Sequence, residues 1–291
     1  MTKQKIVPHL WFDKEAVEAA EFYTSIFPDS KITHKSIIKN TPSGDCDVVG
    51  FQIMGSNFMS ISAGPYFKIN PSISFTISCD SEKEVNELWD KLSPDGKILM
   101  KLDKYPFSPK YGWIQDKYGV SWQIIFFSEG KPKQKIIPHL MFTQDFCGRA
   151  EEAMNFYCSI FDDSKVGDIF RYQNQAPDRD GTVAHSFFTL AGQMFGAMDS
   201  AQEHKFKFKE AVSFIINCKD QEEIDYYWEK LSAVPESEQC GWVKDKYGPS
   251  WQIIPENMGE LMSKNPEKTT PAMLKMKKII IKDLEKVGEE K

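Results

Sequence analysis

The sequence lacks most of the signals that announce a function directly. Of its 17 glycines, no two stand two residues apart. It therefore has no Gly-x-Gly turn of the kind that seats a nucleotide phosphate at the start of a helix. The six cysteines, Cys46, Cys79, Cys147, Cys158, Cys218 and Cys240, include no Cys-x-x-Cys pair. That spacing removes zinc-ribbon and dithiol motifs and is the pattern of free thiols in a reducing compartment. No apolar run approaches the roughly 18 residues of a membrane span. The opening MTKQKIVPHLWF has no apolar h-region followed by a small-residue cleavage site, so the expectation is a cytoplasmic chain. Basic residues are outnumbered, 36 Lys and Arg against 42 Asp and Glu. Phosphate backbones need a basic footprint, so nucleic acid is not an expected partner.

Apolar residues and repetition are what the sequence does have. It holds 291 residues, 41% hydrophobic and 13% aromatic, enough for about two domains with full cores. GWIQDKYGVSWQII at 112–125 returns as GWVKDKYGPSWQII at 241–254, differing at three positions. KIVPHLWF at 5–12 returns as KIIPHLMF at 135–142, and EFYTSIFPDSKI at 21–32 as NFYCSIFDDSKV at 155–166. SFTISCDSEKEVNELWDKLS at 74–93 returns as SFIINCKDQEEIDYYWEKLS at 213–232. The blocks keep their order, so the chain is one domain of about 130 residues in tandem. Residues 1–130 and 131–257 form the two domains and 258–291 a helical tail; polar SEGKPKQK at 128–135 is the join. Copy two gains four residues around Phe146–Arg149. Copy one has ten extra residues between Ser93 and Gly112, including Tyr105, Phe107 and Tyr111. That insertion is a lid, a surface loop or an extra strand pair.

Within copy one, Ala16, Ala19, Ala20, Tyr23 and Phe27 recur at helical spacing, and Ala150, Ala153, Met154, Tyr157 and Phe161 repeat that face. Ser81 with Glu84, and Asp220 with Glu223, have capping-box spacing ahead of a second helix. Alternating runs surround both helices. Each copy reads βαβββ twice, eight strands and two helices, an α+β domain with helices on one face of curled antiparallel sheets. In IVPHLWF the alternation sets His9 and Trp11 opposite Leu10 and Phe12. In SWQII it sets Gln123 opposite Trp122 and Ile124. Asp116 and Asp245, in the DKYG turns, are expected as turn caps, with Gly119 and Gly248 at a conformation other residues avoid. In the tail, Thr270 before Pro271 reads as a helix N-cap, and Met273, Met276, Ile280, Leu284 and Val287 as the apolar stripe of that helix. It docks on the chain itself or at a homodimer contact.

The doubled βαβββ order, the PHLWF strand, the AxEFYxSIFPDSK helix and the DKYGVSWQII ending together resemble the vicinal-oxygen-chelate (glyoxalase/bleomycin-resistance) superfamily. Within it they are similar to the PhnB-like branch, whose members often carry the label 3-demethylubiquinone-9 3-methyltransferase. The resemblance implies two tandem glyoxalase-like domains of paired βαβββ modules. It also implies a cleft in each curled sheet, often with a divalent metal held by the first, fourth, fifth and last strands. Carried over, the first-strand position is His9 and His139, and the last-strand position is Gln123 and Gln252 where metal-dependent relatives have Glu. The fourth-strand position is Ser60 and Ala197, and the fifth falls at Ser72 or Ser74 and at Val212 or Ser213. The metal candidates His9, His139, Gln123 and Gln252 form an incomplete ligand set, with Asp199 and His185 as possible substitutes. The expectation is a small-molecule-binding protein whose clefts are lined by His9, Trp11, Ser60, Gln123, His139, Asp199 and Gln252. The alternative is a divalent-metal-dependent enzyme on an oxygen-rich substrate. Methyl transfer does not match a chain without a Gly-rich turn or a doubly wound pattern. Each cleft either forms within one copy, or pairs His9 with Gln252 and His139 with Gln123.

Overall fold

A computed structural model of the chain describes residues 4–290. Copy one runs β1 (Ile6–Phe12), α1 (Ala16–Ile26), β2 (Lys31–Thr41), β3 (Gly44–Ile53), β4 (Ser56–Ser62), β5 (Ile73–Cys79), α2 (Glu82–Leu92), β6 (Lys97–Tyr105), β7 (Ser108–Gln115) and β8 (Ser121–Phe126). Copy two runs β9 (Ile136–Thr143), α3 (Ala150–Ile160), β10 (Lys165–Arg171), β11 (Val183–Leu190), β12 (Gln193–Ser200), β13 (Val212–Cys218), α4 (Gln221–Leu231), β14 (Trp242–Lys244) and β15 (Ser250–Pro255). Copy two thus has seven strands, not the expected eight. The ten residues it lacks are those that build β6 in copy one, and Pro235–Ser237 makes a short 3-10 turn there instead.

The strands form two sheets, and each sheet draws on both copies. The seven-stranded sheet has the order β14-β15-β13-β1-β4-β3-β2, the eight-stranded one β10-β11-β12-β9-β5-β8-β7-β6. Two antiparallel seams join the copies: β1 with β13, aligning His9 with Ser213, and β5 with β9, aligning Ser74 with His139. The remaining neighbours come from one copy.

The four repeat helices lie on one face of each sheet, α1 and α4 on the seven-stranded, α2 and α3 on the eight-stranded. Helix α1 buries Ala16, Ala19, Ala20 and Tyr23, the face its spacing predicts. Small alanines let the helix approach β3 and β4, while the aromatic ring reaches further. Ser81 and Asp220 cap α2 and α4, accepting from the amides of Glu84 and Glu223 at 3.1 and 2.9 Å.

The two halves of each copy meet on a buried aspartate. Asp116 Oδ2 accepts from Tyr23 Oη of α1 (2.7 Å) and from Trp122 Nε1 of β8 (2.8 Å), while its Oδ1 accepts from the amides of Tyr118 and Val120. Asp245 repeats this with Tyr157, Trp251 and the Tyr247 amide. Pro249 replaces Val120 and has no amide to give. The expected turn caps are therefore also tethers between a helix and a strand of different sheets. Gly119 closes the first turn at φ +86°, as the DKYG pattern predicts. Burial pushes the Asp116 and Asp245 carboxyls up to about 6, against the opposing pull of their donors.

The tail departs from the sequence expectation. It forms three helices, α5 (Met258–Lys264), α6 (Pro266–Leu274) and α7 (Ile281–Glu289). Thr270 and Pro271 lie inside α6, which starts at Pro266 after Asn265. The apolar stripe is shared among separate helices, whose cluster of Leu261, Met273, Ile279 and Leu284 packs with Ile254 of β15.

Removing one donor leaves a buried carboxylate short of a partner, which costs about 1–3 kcal/mol. Tyr157→Phe is expected to lower the urea midpoint accordingly with an unchanged m-value, and an unaffected midpoint would count against the tether.

Candidate functional site

Helices α1 to α4 cover one face of each sheet; the opposite face, the one expected to line a cleft, is termed the concave face. The alternation predicted for β1 holds: Leu10 and Phe12 enter the core, and His9 shares the other face with Trp11. On β8, Trp122 and Ile124 enter the core and Gln123 takes the concave face. The seams decide the open question of pairing. His9 and Gln252 belong to one sheet, His139 and Gln123 to the other, so each concave face is built from both copies.

In the eight-stranded sheet, Gln123 Nε2 donates to Ser74 Oγ (2.7 Å) and Gln123 Oε1 accepts from Tyr111 Oη (2.9 Å). Ser74 is the cross-strand partner of His139. The His139 ring leans over Gly196, where a Cβ would lie 2.5 Å from its Nδ1. His185 of β11 stands 5.3 Å away, centroid to centroid, and Phe187 packs perpendicular to it at 4.6 Å. In the seven-stranded sheet, Gln252 Nε2 donates to Ser213 Oγ (3.0 Å), and Ser213 aligns with His9. Trp242 takes the place of Trp113, and Cys240 that of Tyr111. Trp242 stands edge-on to His9 at 5.6 Å and to Trp11 at 6.1 Å; Trp11 Nε1 donates to the Gly64 carbonyl.

The fourth-strand residues need correction. Ser60 pairs with Leu10 and Ala197 with Leu140, so both lie on the helix face. Ser60 Oγ donates to the Ala16 carbonyl (3.3 Å) rather than lining a cleft. Asp199 aligns with Phe142 on that same helix face. Its carboxylate accepts from the amides of Gly148, Ala150 and Val183 at 2.7, 3.1 and 3.0 Å, capping α3, whose own N-cap Arg149 supplies no side-chain bond. Ser62 does the same for the Ala16 amide of α1. The concave neighbours are instead Met59 and Ile61, and Gly196 and Met198. Tyr111, Ser74, Ser213 and Trp242 complete the polar rows. Ser74 and Ser213 were among the sequence alternatives; Tyr111 was noted only as part of the insertion. Cys79 and Cys218 are buried at strand ends, and burial pushes both thiols up to about 12, the behaviour of small core residues.

His9 and His139 are each 3% exposed. His139 Nδ1 and Nε2 and His9 Nδ1 are buried without a hydrogen-bond partner, as are Thr76 Oγ1 and Ser78 Oγ on the same face as Ser74. Burial pulls the His9 and His139 imidazoles down to about 3 and His185 to about 4, so all three are neutral near pH 7.

A family model described as 3-demethylubiquinone-9 3-methyltransferase matches residues 4–125 and again 134–254. The chain belongs to this family. Protein YjdN of Escherichia coli (strain K12) is 32% identical over 115 residues, 38% of this chain and 68% of that protein. A solved Bacillus cereus PhnB protein is 41% identical over 42% of this chain and 99% of its own, with a TM-score of 0.40. Glyoxalase I from Zea mays, 12% identical over 88% of this chain and 96% of its own, superposes with a TM-score of 0.54 and shares the fold. The family member described here is thus a glyoxalase-fold protein of two tandem repeats.

The depressed imidazoles set a pH response. Between pH 6.5 and about 3 the unfolded chain binds a proton at His139 that the folded chain refuses, so stability falls as pH drops through that window. Asp116 and Asp245 act oppositely between about 6 and 3.8, where the folded chain binds protons first. His139→Met removes one depressed group. It should gain about 2 kcal/mol on the wild type between pH 7.5 and pH 5 in urea titrations; a constant difference would show that His139 titrates normally.

Proposed function

We propose that this protein holds a small molecule on a concave face, between the copies, with His139 and Gln123 as polar anchors; His9 and Gln252 are their counterparts on the other face. The observation that carries the reading is His139, buried with neither ring nitrogen paired. Leaving such a group unsatisfied costs about 1–3 kcal/mol, and native structures keep few of them without a use. Trp11 and Trp242 on one face, and Trp113 and Phe187 on the other, add apolar surface beside a few polar groups, the usual make-up of a ligand pocket.

The divalent cation implied by the glyoxalase fold does not fit these donors. Each face offers an imidazole, a neutral amide and a serine hydroxyl, with a second imidazole at His185. Among the described residues no three His, Cys, Asp or Glu side chains converge, and Asp199 is committed to α3. Hard cations require carboxylate oxygens, and softer ones more imidazole or thiolate. The metal-dependent reading therefore has no donor set to stand on, and no step is assigned to a metal. Methyl transfer finds no support in the sheets either. They are mixed, have the four repeat helices α1 to α4 on one face only, and carry no Gly-rich turn at a parallel strand.

A fragment library screened by thermal shift, in parallel with a Mn²⁺, Zn²⁺ and Ca²⁺ series, tests this reading. Fragments are expected to raise Tm and the metals to leave it unchanged. A metal-specific rise would reverse the assignment. For a fragment bound in the eight-stranded sheet, His139→Ala and Gln123→Ala are each expected to weaken binding about tenfold. Those two substitutions should couple by 0.5 kcal/mol or more, whereas His139→Ala with Gln252→Ala should simply add.

A further inference from the structure

The two concave faces are built from matching strands but are closed differently. The seven-stranded sheet ends in β14 on one side and β2 on the other. Helix α6 lies against β2, and the chain around its end is fastened to the β14 side. There the Cys240 amide donates to the Met276 carbonyl (2.8 Å), the Gly241 amide to the Lys277 carbonyl (2.7 Å), and Gln239 Nε2 to the Leu274 carbonyl. The tail thus touches both edge strands of this sheet and, through Lys278 with Asp225 and Ile281 with Gln221, the start of α4. Its apolar cluster rests on Ile254, two residues beyond Gln252 on the same face of β15. On the same face as Ile254, the rings of Trp242 and Trp11 pack beside His9.

The tail contacts named above all fall on the seven-stranded sheet and on α4. In the eight-stranded sheet, edge strand β6 packs on β7, and β10 on β11 and α3. The ten-residue insertion lengthens the β6–β7 hairpin into a wall in which Tyr105, Phe107 and Tyr111 pack on one another. The floor differs too. Thr76 and Ser78, both with unpartnered hydroxyls, correspond to Ile215 and Asn217 in the other sheet, and His185 corresponds to Val48. The concave positions of the five central strands, β8, β5, β9, β12 and β11, carry no charged side chain.

We propose, building on the small-molecule reading above, that the chain has a single working cleft, that of the eight-stranded sheet, and that it takes an uncharged molecule with a hydrogen-bonding end and an apolar body. The tail seals the other cleft. An ionised ligand would lose its hydration against a floor with no counter-charge, a cost that burial does not return. The neutral imidazoles of His139 and His185 each present one donor and one acceptor, and Thr76 and Ser78 present hydroxyls that do both. An amide or hydroxyl end matches that set, and Phe187, Trp113, Met141 and Met198 receive the apolar remainder.

Benzamide and benzoate are near-isosteres that differ in charge. They can be titrated at pH 7.5 into full-length protein carrying ¹⁵N-labelled histidine. Benzamide is expected to bind one equivalent per chain, to move the His139 and His185 imidazole signals and to leave His9 in place. Benzoate is expected to bind at least tenfold more weakly. Thr76→Val should weaken benzamide several-fold while the imidazole signals of the free protein stay where they are. Equal or tighter benzoate binding would overturn the charge assignment. Two equivalents, or a His9 response as large as that of His139, would overturn the sealing. If neither compound moves His139 while other fragments do, the ligand class falls and the small-molecule reading stands; a library with no hit removes both.

Discussion

Everything on the concave faces depends on two antiparallel seams, β1 with β13 and β5 with β9. Each seam joins strands about 60 to 200 residues apart in the chain, and each sets one histidine beside one serine through backbone hydrogen bonds rather than through side-chain choice. The glutamines then follow from the parallel pairing of β5 with β8 and β13 with β15. The apolar cores are organised the other way, within a copy. Tyr23 and Trp122, or Tyr157 and Trp251, converge on an aspartate from different sheets. Sheets bind copy to copy and cores bind half to half, so neither repeat can loosen without disturbing both faces.

The differences between the copies gather around the concave faces and leave the cores alike. The aspartate tethers, the alanine faces of α1 and α3 and the caps of α2 and α4 recur with small changes. The walls do not recur. One has a lengthened aromatic hairpin and a tyrosine holding its glutamine; the other has a truncated edge with a tail of three short helices bonded to it. An exposed edge strand invites pairing with other chains. The amides of Cys240 and Gly241 are instead bonded to Met276 and Lys277, so the tail covers the edge that the missing strand leaves behind.

Much of this architecture was legible in the sequence. The repeat blocks, the helix faces and the orientation of His9, Trp122 and Gln123 follow from periods of 3.6 and 2, which local sequence expresses directly. The cross-pairing was not legible, because a strand has the same alternation whichever copy lies beside it. Ser60 and Asp199 were misplaced because counting along β4 and β12 without the partner register allows a one-residue slip, and such a slip exchanges faces. Asp199 also has a task, capping α3 from a distant strand, that no local motif announces. The tail misled because a Thr-Pro pair is a good helix start, while Asn265 and Pro266 five residues earlier offered another. The tether role of the DKYG aspartates needed the tyrosine of a helix more than 80 residues away.

The join at residues 127–135 has a consequence of its own. Halves that met as separate molecules would associate only as concentration allowed, and two identical subunits would have to present identical clefts on either side of their axis. A covalent join makes the encounter intramolecular, at an effective concentration of order millimolar. It also frees the halves from symmetry. A residue changed on one side is no longer copied to the other, so one cleft can acquire His185 and an aromatic wall while its counterpart acquires a cover.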